Sequence, residues 1–295
     1  MTSRRETLAR RMGDLATESI LFEVILTPKP GLVDAKDPGS HSDMDIFTFV
    51  RSAVSLSHGF QEFFHAGFDH EGSMETLFTG LRPLGMEIEE RMFQATSSVN
   101  THKGIIFSLG IILAAVGKFE SSRNAEGRYT ASDTEKVLQL VKAMTRGLVL
   151  TDFGNLARRS PRTHGERLYV EHGFTGIRGE AEAGYPILKE KALPLLRQMK
   201  HEDLTLEQKL LETLVLFMAH AEDTNVVTRG GIDALTYVQD RAKAFLNHGG
   251  VRQSHYIELL NQMNRDFKEK NLSPGGAADL LSLAIFFGKL EELLK

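Results

Sequence analysis

Five short strings combine residue types and spacings that could do chemistry on a charged substrate. In Thr27-Pro28-Lys29-Pro30-Gly31-Leu32-Val33-Asp34, two prolines fix the backbone, Gly31 permits a turn closed to other residues, and Lys29 is presented rigidly. In Gly39-Ser40-His41-Ser42-Asp43-Met44-Asp45, His41, Asp43 and Asp45 form a hard-ligand set that Mg²⁺ accepts alongside phosphate oxygens. The string also stands where a helix should start, so capping explains it equally well. Asn100-Thr101-His102-Lys103-Gly104 precedes the most apolar stretch of the chain. A helix starting there would aim free N–H groups, His102 and Lys103 at one spot, which suits an anion. Thr163-His164-Gly165-Glu166 and Gly176-Ile177-Arg178-Gly179-Glu180 interleave arginines and carboxylates on glycines, as expected of a loop that closes over a polyanion and supplies a base. Finally, Asp223-Thr224-Asn225 before Arg229-Gly230-Gly231, and Ser273-Pro274-Gly275-Gly276 before Asp279, each offer glycine, a carboxylate and a helix start.

Apolar residues at helical spacing must position these strings. Leu8, Met12, Leu15, Phe22 and Leu26, then Ile46, Phe49, Val50, Ala53, Phe60 and Phe64, trace two amphipathic helices. Further helices are predicted around 74–97, 104–118, 133–150, 187–199, 205–221, 233–247, 254–269 and 276–294, the 133–150 helix opening on a Ser132-x-x-Glu135 capping box. No period-2 strand and no fixed repeat is found. The expectation is an all-α fold: residues 1–295 as a single globular multi-helix domain of about ten helices. The 151–186 stretch is predicted to be a long loop, and its arginines Arg158, Arg159, Arg162, Arg167 and Arg178 favour a functional one.

Composition removes other classes. The 295 residues carry 35 basic and 39 acidic side chains, a net charge of -4, which announces no nucleic-acid partner. Cysteine is absent, so thiolate chemistry, disulfides and sulfur-bound metals are excluded. The window Ile105 to Val116 is shorter than the ~20 residues a membrane span requires and reads as a core helix. No secretory signal is recognisable after the arginine-rich start. A cytoplasmic protein with no membrane partner is expected. Walker, Rossmann, kinase and nucleophile-elbow signatures are all missing. Residue spacing alone reaches a helical enzyme that binds a polyanion, with a Mg²⁺-dependent hydrolase of ADP-ribose or nucleotides and a nucleotide-sensing module as the other readings.

Taken together, the strings at 27–34, 39–45, 100–104, 163–166, 176–180, 223–225 and 275–280 resemble the triphosphoribosyl-dephospho-CoA synthase family, in order and over some 250 residues. The resemblance implies transfer of the 5-triphosphoribosyl group of ATP to the 2'-hydroxyl of 3'-dephospho-CoA, with release of adenine. The product would be the precursor of the prosthetic group on the acyl carrier subunit of citrate lyase, or of malonate decarboxylase in a sister branch, passed on to a carrier-protein holo-transferase. On this basis Lys29, His102, Lys103, Arg178 and Arg229 are expected on the triphosphate, with His41, Asn100, Asn225, Gly275 and Gly276 completing the substrate contacts. Mg²⁺ is expected on Asp43 and Asp45 with Asp223 or Asp279. Glu166 is the first expected base, followed by Glu180 and Asp34, while His164 would orient Glu166 or protonate adenine. Two departures from the family pattern are Ala95-Thr96-Ser97-Ser98-Val99, where a glycine-rich approach is expected, and Ile232, where a leucine is usual after the glycine pair.

Overall fold

The computed structural model describes residues 3–123, 127–154, 156 and 163–294, and among these there is no strand. The chain order is α1 (Arg4–Ile25), α2 (Ile46–Phe68), α3 (Met74–Ala95), α4 (Lys103–Ser122), α5 (Ala131–Met144), α6 (Leu148–Phe153), α7 (His164–His172) and α8 (Gly176–Ala183). A π-helical turn, Leu188–Ala192, then leads into α9 (Leu193–Met199), followed by α10 (Leu206–His220), α11 (Thr224–Asn247), α12 (Tyr256–Glu269) and α13 (Gly275–Leu290). The all-α expectation holds.

The core is built on α4, whose apolar residues from Ile105 to Val116 are nearly all fully buried. It is longer than the sequence periodicity suggested, 20 residues, and apolar enough to span a membrane by length and composition. Here that surface is covered by α2, with α1, α5 and α13 around them. Close approach of α2 and α4 depends on two glycines. A Cβ on Gly67 would lie 1.8 Å from Ala114 O, and one on Gly117 would lie 2.2 Å from Phe64 O. Phe60 and Phe64 on α2 are then completely buried, and truncating either to alanine would cost about 3–5 kcal/mol.

Local signals explain most helix starts. Ser3, Asp45, Ser73, Thr130, Thr163 and Thr205 each accept a backbone N–H at the head of their helices. The box expected at Ser132 and Glu135 stands instead at Thr130 and Asp133, because Thr130 has the extended backbone that a cap requires. The 151–186 stretch is not a bare loop either, since it holds α7 and α8, each closed by a glycine in the left-handed region, Gly173 and Gly184. These helices of 9 and 8 residues are too short to show a clear apolar period. Arg158, Arg159, Arg162 and the side chain of His164 lie outside the described residues.

The departure before Asn100 has a structural meaning. Ser97 and Ser98 stand at φ 55° and 68°, the left-handed region that glycine enters at no steric cost. The backbone here takes the path of a glycine-rich segment while carrying serines.

Candidate active site

A cleft of about 840 Å³ opens where four helix starts meet the 27–41 loop. Its walls come from the end of α1, residues 100–108 at the start of α4, residues 175–180 of α8, and the first turns of α11 and α13. Two of these starts, those of α4 and α8, have no capping side chain, unlike the six capped helices named above, whereas α13 has none at its own N-cap but is capped from α11 by Asp223. Uncapped first turns leave backbone N–H groups and the positive end of the helix dipole directed at whatever lies beyond them.

The carboxylate of Asp223 fixes this geometry. It is buried at the head of α11, where Oδ1 accepts from the N–H groups of Asn225 and Val226 at 3.0 and 3.3 Å. Its Oδ2 accepts from Ala277 N of α13 at 3.0 Å. Gly275 and Gly276 allow the approach, since a Cβ on either would come within 2.6 Å of Asn225 Nδ2 or 3.0 Å of Asp223 Oδ2. Burial outweighs these bonds and pushes the Asp223 carboxyl up to about 6.

All ten residues expected at the substrate line the cleft: Lys29, His41, Asn100, His102, Lys103, Arg178, Asn225, Arg229, Gly275 and Gly276. The cations already have protein partners. Lys29 is buried in an ion pair with Glu23, Lys103 pairs with Glu89 at the exposed rim, and Arg178 holds Asp152 at 2.6 Å. The Arg229 guanidinium donates to Ser40 O at 2.9 Å and to Asn271 Oδ1 at 3.0 Å. It also reaches His41 Nδ1 at 3.2 Å, and His41 Nε2 lies 2.9 Å from Ser273 Oγ. Burial and the adjacent guanidinium lower the His41 pKa. A neutral ring that accepts at Nδ1 and donates from Nε2 satisfies both contacts.

His102 is the opposite case. Its Nδ1 lies 2.6 Å from Ser52 Oγ, which is in turn 2.8 Å from Thr101 Oγ1. The ring packs edge-on against Phe49, and its Nε2 is buried with no partner among the described residues. Burial, reinforced by Lys29, depresses its pKa to about 3. A neutral imidazole fed by the Ser52 hydroxyl at Nδ1 presents an Nε2–H donor, which suits a phosphate oxygen without adding charge.

The carboxylates divide. Glu180 and Asp279 line the cleft. Burial, with Glu222 nearby, holds Glu180 up at about 7, and its Oε2 is buried and unpartnered. Burial, with Glu23 and Asp223 adding to it, drives Asp279 well above the usual range. Its Oδ2 abuts Gly104, where a Cβ would sit 2.1 Å away, so the glycine of the Asn-Thr-His-Lys-Gly string makes room for this carboxylate.

The structure does not support the roles expected of six carboxylates. Asp34 is buried and does not line the cleft: Oδ2 accepts from Thr27 Oγ1 and Lys29 N, both at 3.0 Å, and Oδ1 from Lys36 N and Asp37 N at 2.7 and 2.9 Å. Its acceptor capacity is spent on shaping the loop that carries Lys29, which removes it as a base. Asp45 caps α2 through Thr48 at 2.8 Å, and Asp43 is largely exposed, 3.7 Å from His41; neither lines the cleft. Glu166 is also outside the lining, with one oxygen accepting from Thr163 N at 3.2 Å in the α7 capping box. With Asp223 bound to three amides, Asp43, Asp45, Asp223 and Asp279 do not converge on one point. No group of three metal-ligating side chains stands together among the described residues. These residues therefore do not fit a magnesium centre built by the protein.

Two cleft residues, Glu23 and Ser108, and Tyr185 behind Ser108 carry no signal in any motif. Glu23 stands on an amphipathic helix and reads as a surface charge, although its position six residues before Lys29 is a hint. Ser108 is a lone hydroxyl inside the most apolar run of the chain, and Tyr185 follows Gly184 in a connector.

The family model for CitG, ATP:dephospho-CoA triphosphoribosyl transferase, matches residues 9–295. The chain belongs to this family. CitG family members are pentosyltransferases, and the relatives agree along the whole length. The chain is 40% identical over 97% of its length, and 89% of the relative, to the "probable 2-(5''-triphosphoribosyl)-3'-dephosphocoenzyme-A synthase" of Photobacterium profundum. It is 40% identical to the protein of the same name from Streptococcus mutans, over 98% of this chain and 99% of that one. The Vibrio cholerae protein of that name is 37% identical over 99% of this chain and 92% of its own. No solved structure matches.

Proposed function

We propose that the chain transfers the 5-triphosphoribosyl group of ATP to the 2'-hydroxyl of 3'-dephospho-CoA and releases adenine. The observation that carries this reading is the convergence of two uncapped helix starts, those of α4 and α8, with Lys29, His102, Lys103, Arg178 and Arg229 on one cleft. Such a site suits a triphosphate that must be held without being cleaved. One hydrophobic core running from Ala9 to Leu294 supports treating residues 1–295 as a single catalytic unit.

The chemistry is glycosyl transfer. The bond from C1'' to the purine nitrogen breaks and the acceptor oxygen bonds to C1'' in one in-line displacement, through a state with oxocarbenium character. The backbone amides and cations fix the phosphates, so the ribose carbon is placed by binding that does not change during the step. Two protons must move, one from the acceptor hydroxyl and one to the leaving purine. Three carboxyls of the cleft have no hydrogen-bond partner among the described residues, the exposed Glu222 and the more deeply set Glu180 and Asp279, and negative charge on either of the latter two also favours the positive carbon. A carboxylate with raised proton affinity is the stronger base once ionised, which suits Asp279 to the acceptor hydroxyl. Magnesium enters this reading as part of the MgATP substrate, bound through phosphate oxygens. The product fits the precursor of the citrate lyase carrier prosthetic group, destined for a carrier-protein holo-transferase.

Purified protein incubated with MgATP and 3'-dephospho-CoA, followed by chromatography and mass spectrometry, tests the reading. Acceptor-dependent adenine together with the triphosphoribosyl adduct is the expected result. Adenine released without acceptor would make the protein a hydrolase, and nucleotide binding with no turnover would make it a sensor.

A further inference from the structure

Seven buried side-chain nitrogen and oxygen atoms among the described residues have no well-formed hydrogen bond; three of them, His102 Nε2, Ser108 Oγ and Glu180 Oε2, lie in this cleft, and a fourth, Tyr185 OH, stands directly behind Ser108. The remaining three, on His65, Arg123 and Arg241, belong to other parts of the molecule. Buried polar atoms are nearly always paired, so a cluster of unpaired ones marks a place where something else supplies the partners. His102 has its answer in the triphosphate. The other three do not, because a phosphate does not call for a carboxyl group.

Ser108 and Glu180 line the cleft, and Ser108 and Tyr185 are both completely buried. The Tyr185 hydroxyl lies behind the cleft wall beside Ser108, Glu180 and Asp279, close enough to Ser108 for the two hydroxyls to share a hydrogen bond, so that Ser108 is backed by Tyr185 while its outward side faces the cleft. Ile177, Leu280 and Leu283 give the same cleft apolar lining. A hydroxyl and a carboxyl, each able to donate and accept, next to apolar side chains, complement a flat heteroaromatic ring with polar edges. Adenine presents this pattern, an N7 acceptor beside an N6–H₂ donor. A protonated carboxyl can meet both at once, donating O–H to N7 and accepting from N6.

We propose that Ser108 and Glu180, with Tyr185 positioning Ser108 from behind, form the adenine subsite of this cleft and that Glu180 is the acid that protonates N7 of the departing purine. The proposal rests on the transfer reaction above for the acid role, and on the cleft alone for adenine recognition. When the C1''–N9 bond breaks, its electron pair passes into the purine ring. The Glu180 O–H proton goes to N7, and neutral adenine leaves a Glu180 carboxylate behind. The acceptor oxygen bonds to C1'', its proton passes to the Asp279 carboxylate, and exchange with solvent restores both carboxyls. The proton affinity of Glu180, held at about 7 by burial and by Glu222, agrees with an acid that carries its proton near neutrality.

Two measurements test the two halves. Calorimetry with ATP and with inorganic triphosphate needs no turnover. Ser108→Ala and Glu180→Ala should each weaken ATP binding about tenfold or more while leaving triphosphate binding unchanged. Equal weakening of both ligands, or of neither, would overturn the subsite. Turnover of ATP and 7-deaza-ATP, which lacks N7, tests the acid. Glu180→Gln keeps a donor and an acceptor in place, so its KM for ATP should stay near that of the native protein while kcat falls by roughly 10²–10⁴. The native preference for ATP over 7-deaza-ATP should collapse toward unity in this variant. A preference retained in Glu180→Gln would overturn the acid assignment. A native protein that binds ATP through the floor but makes no adduct would sink the transfer reading while leaving the adenine subsite standing.

Discussion

Two regions border the same cleft and treat their carboxylates in opposite ways. Along the wall formed by the 27–37 loop and the starts of α11 and α13, Asp34 takes four hydrogen bonds and Asp223 takes three. On the floor, Glu180 Oε2 is buried without a bond, and Asp279 touches the bare Cα of Gly104. A carboxylate saturated by backbone amides fixes the chain and has no lone pair left for chemistry. One kept short of partners retains its capacity for a substrate, at a cost in stability that the surrounding fold must offset. Acidic residues of the same type thus separate into builders and reactants by their partners, not by their position in a motif.

The sharpest way to break that division is Asp279→Asn. If Asp279 is a reactant, kcat should fall about 10²–10³-fold with the melting temperature unchanged or raised, because a buried like-charge neighbour of Glu23 and Asp223 is removed. Lost stability with activity retained would move Asp279 to the builders. Asp34→Ala should do the reverse, lowering unfolding free energy by roughly 3 kcal/mol or more in denaturant titrations as buried amides lose their acceptor. The pH profile comes next. Glu180 acts as an acid and holds its proton up to about 7, so kcat should fall by about tenfold per unit above that pH; Asp279 acts as a base whose proton affinity is raised as well, so kcat should also fall on the acid side, and Asp279→Asn should remove the acid limb while leaving the alkaline one in place. The sign for stability agrees, since a carboxyl that binds its proton more tightly when folded contributes stability that is lost as pH rises through 7. The smallest effect belongs to Ser98→Gly, which relieves a residue at φ 68° and should stabilise by up to about 1 kcal/mol with no change in kcat.

Much of this was legible in the sequence because the relevant signals are local. Apolar spacing marked the long helices, and prolines, glycines and charges marked the joints that became the cleft. What escaped reading was what depends on burial. Asp43 and Asp45 carry the same letters whether they cap a helix or hold a metal, and only the packed chain shows that Asp45 is spent on Thr48. Glu166 reads as a base because it is a carboxylate in a stretch of arginines and glycines suited to closing over a polyanion, yet Thr-x-x-Glu is also a capping box, and it is used as one. Ser108 and Tyr185 lacked any motif, since a hydroxyl in an apolar run becomes informative only once the packed chain shows what it faces.

The Asp223 carboxylate joins the first turn of α11 to the first turn of α13, 54 residues further along the chain. It works as one bolt through two beams. Replacing it would release both helix ends together, so substitutions at Asn225 on one side and Gly276 on the other, each measured against a change at Asp223, should fail to add. The size of that non-additivity, read from double-mutant cycles, would measure how rigidly the two halves of the wall move as one body.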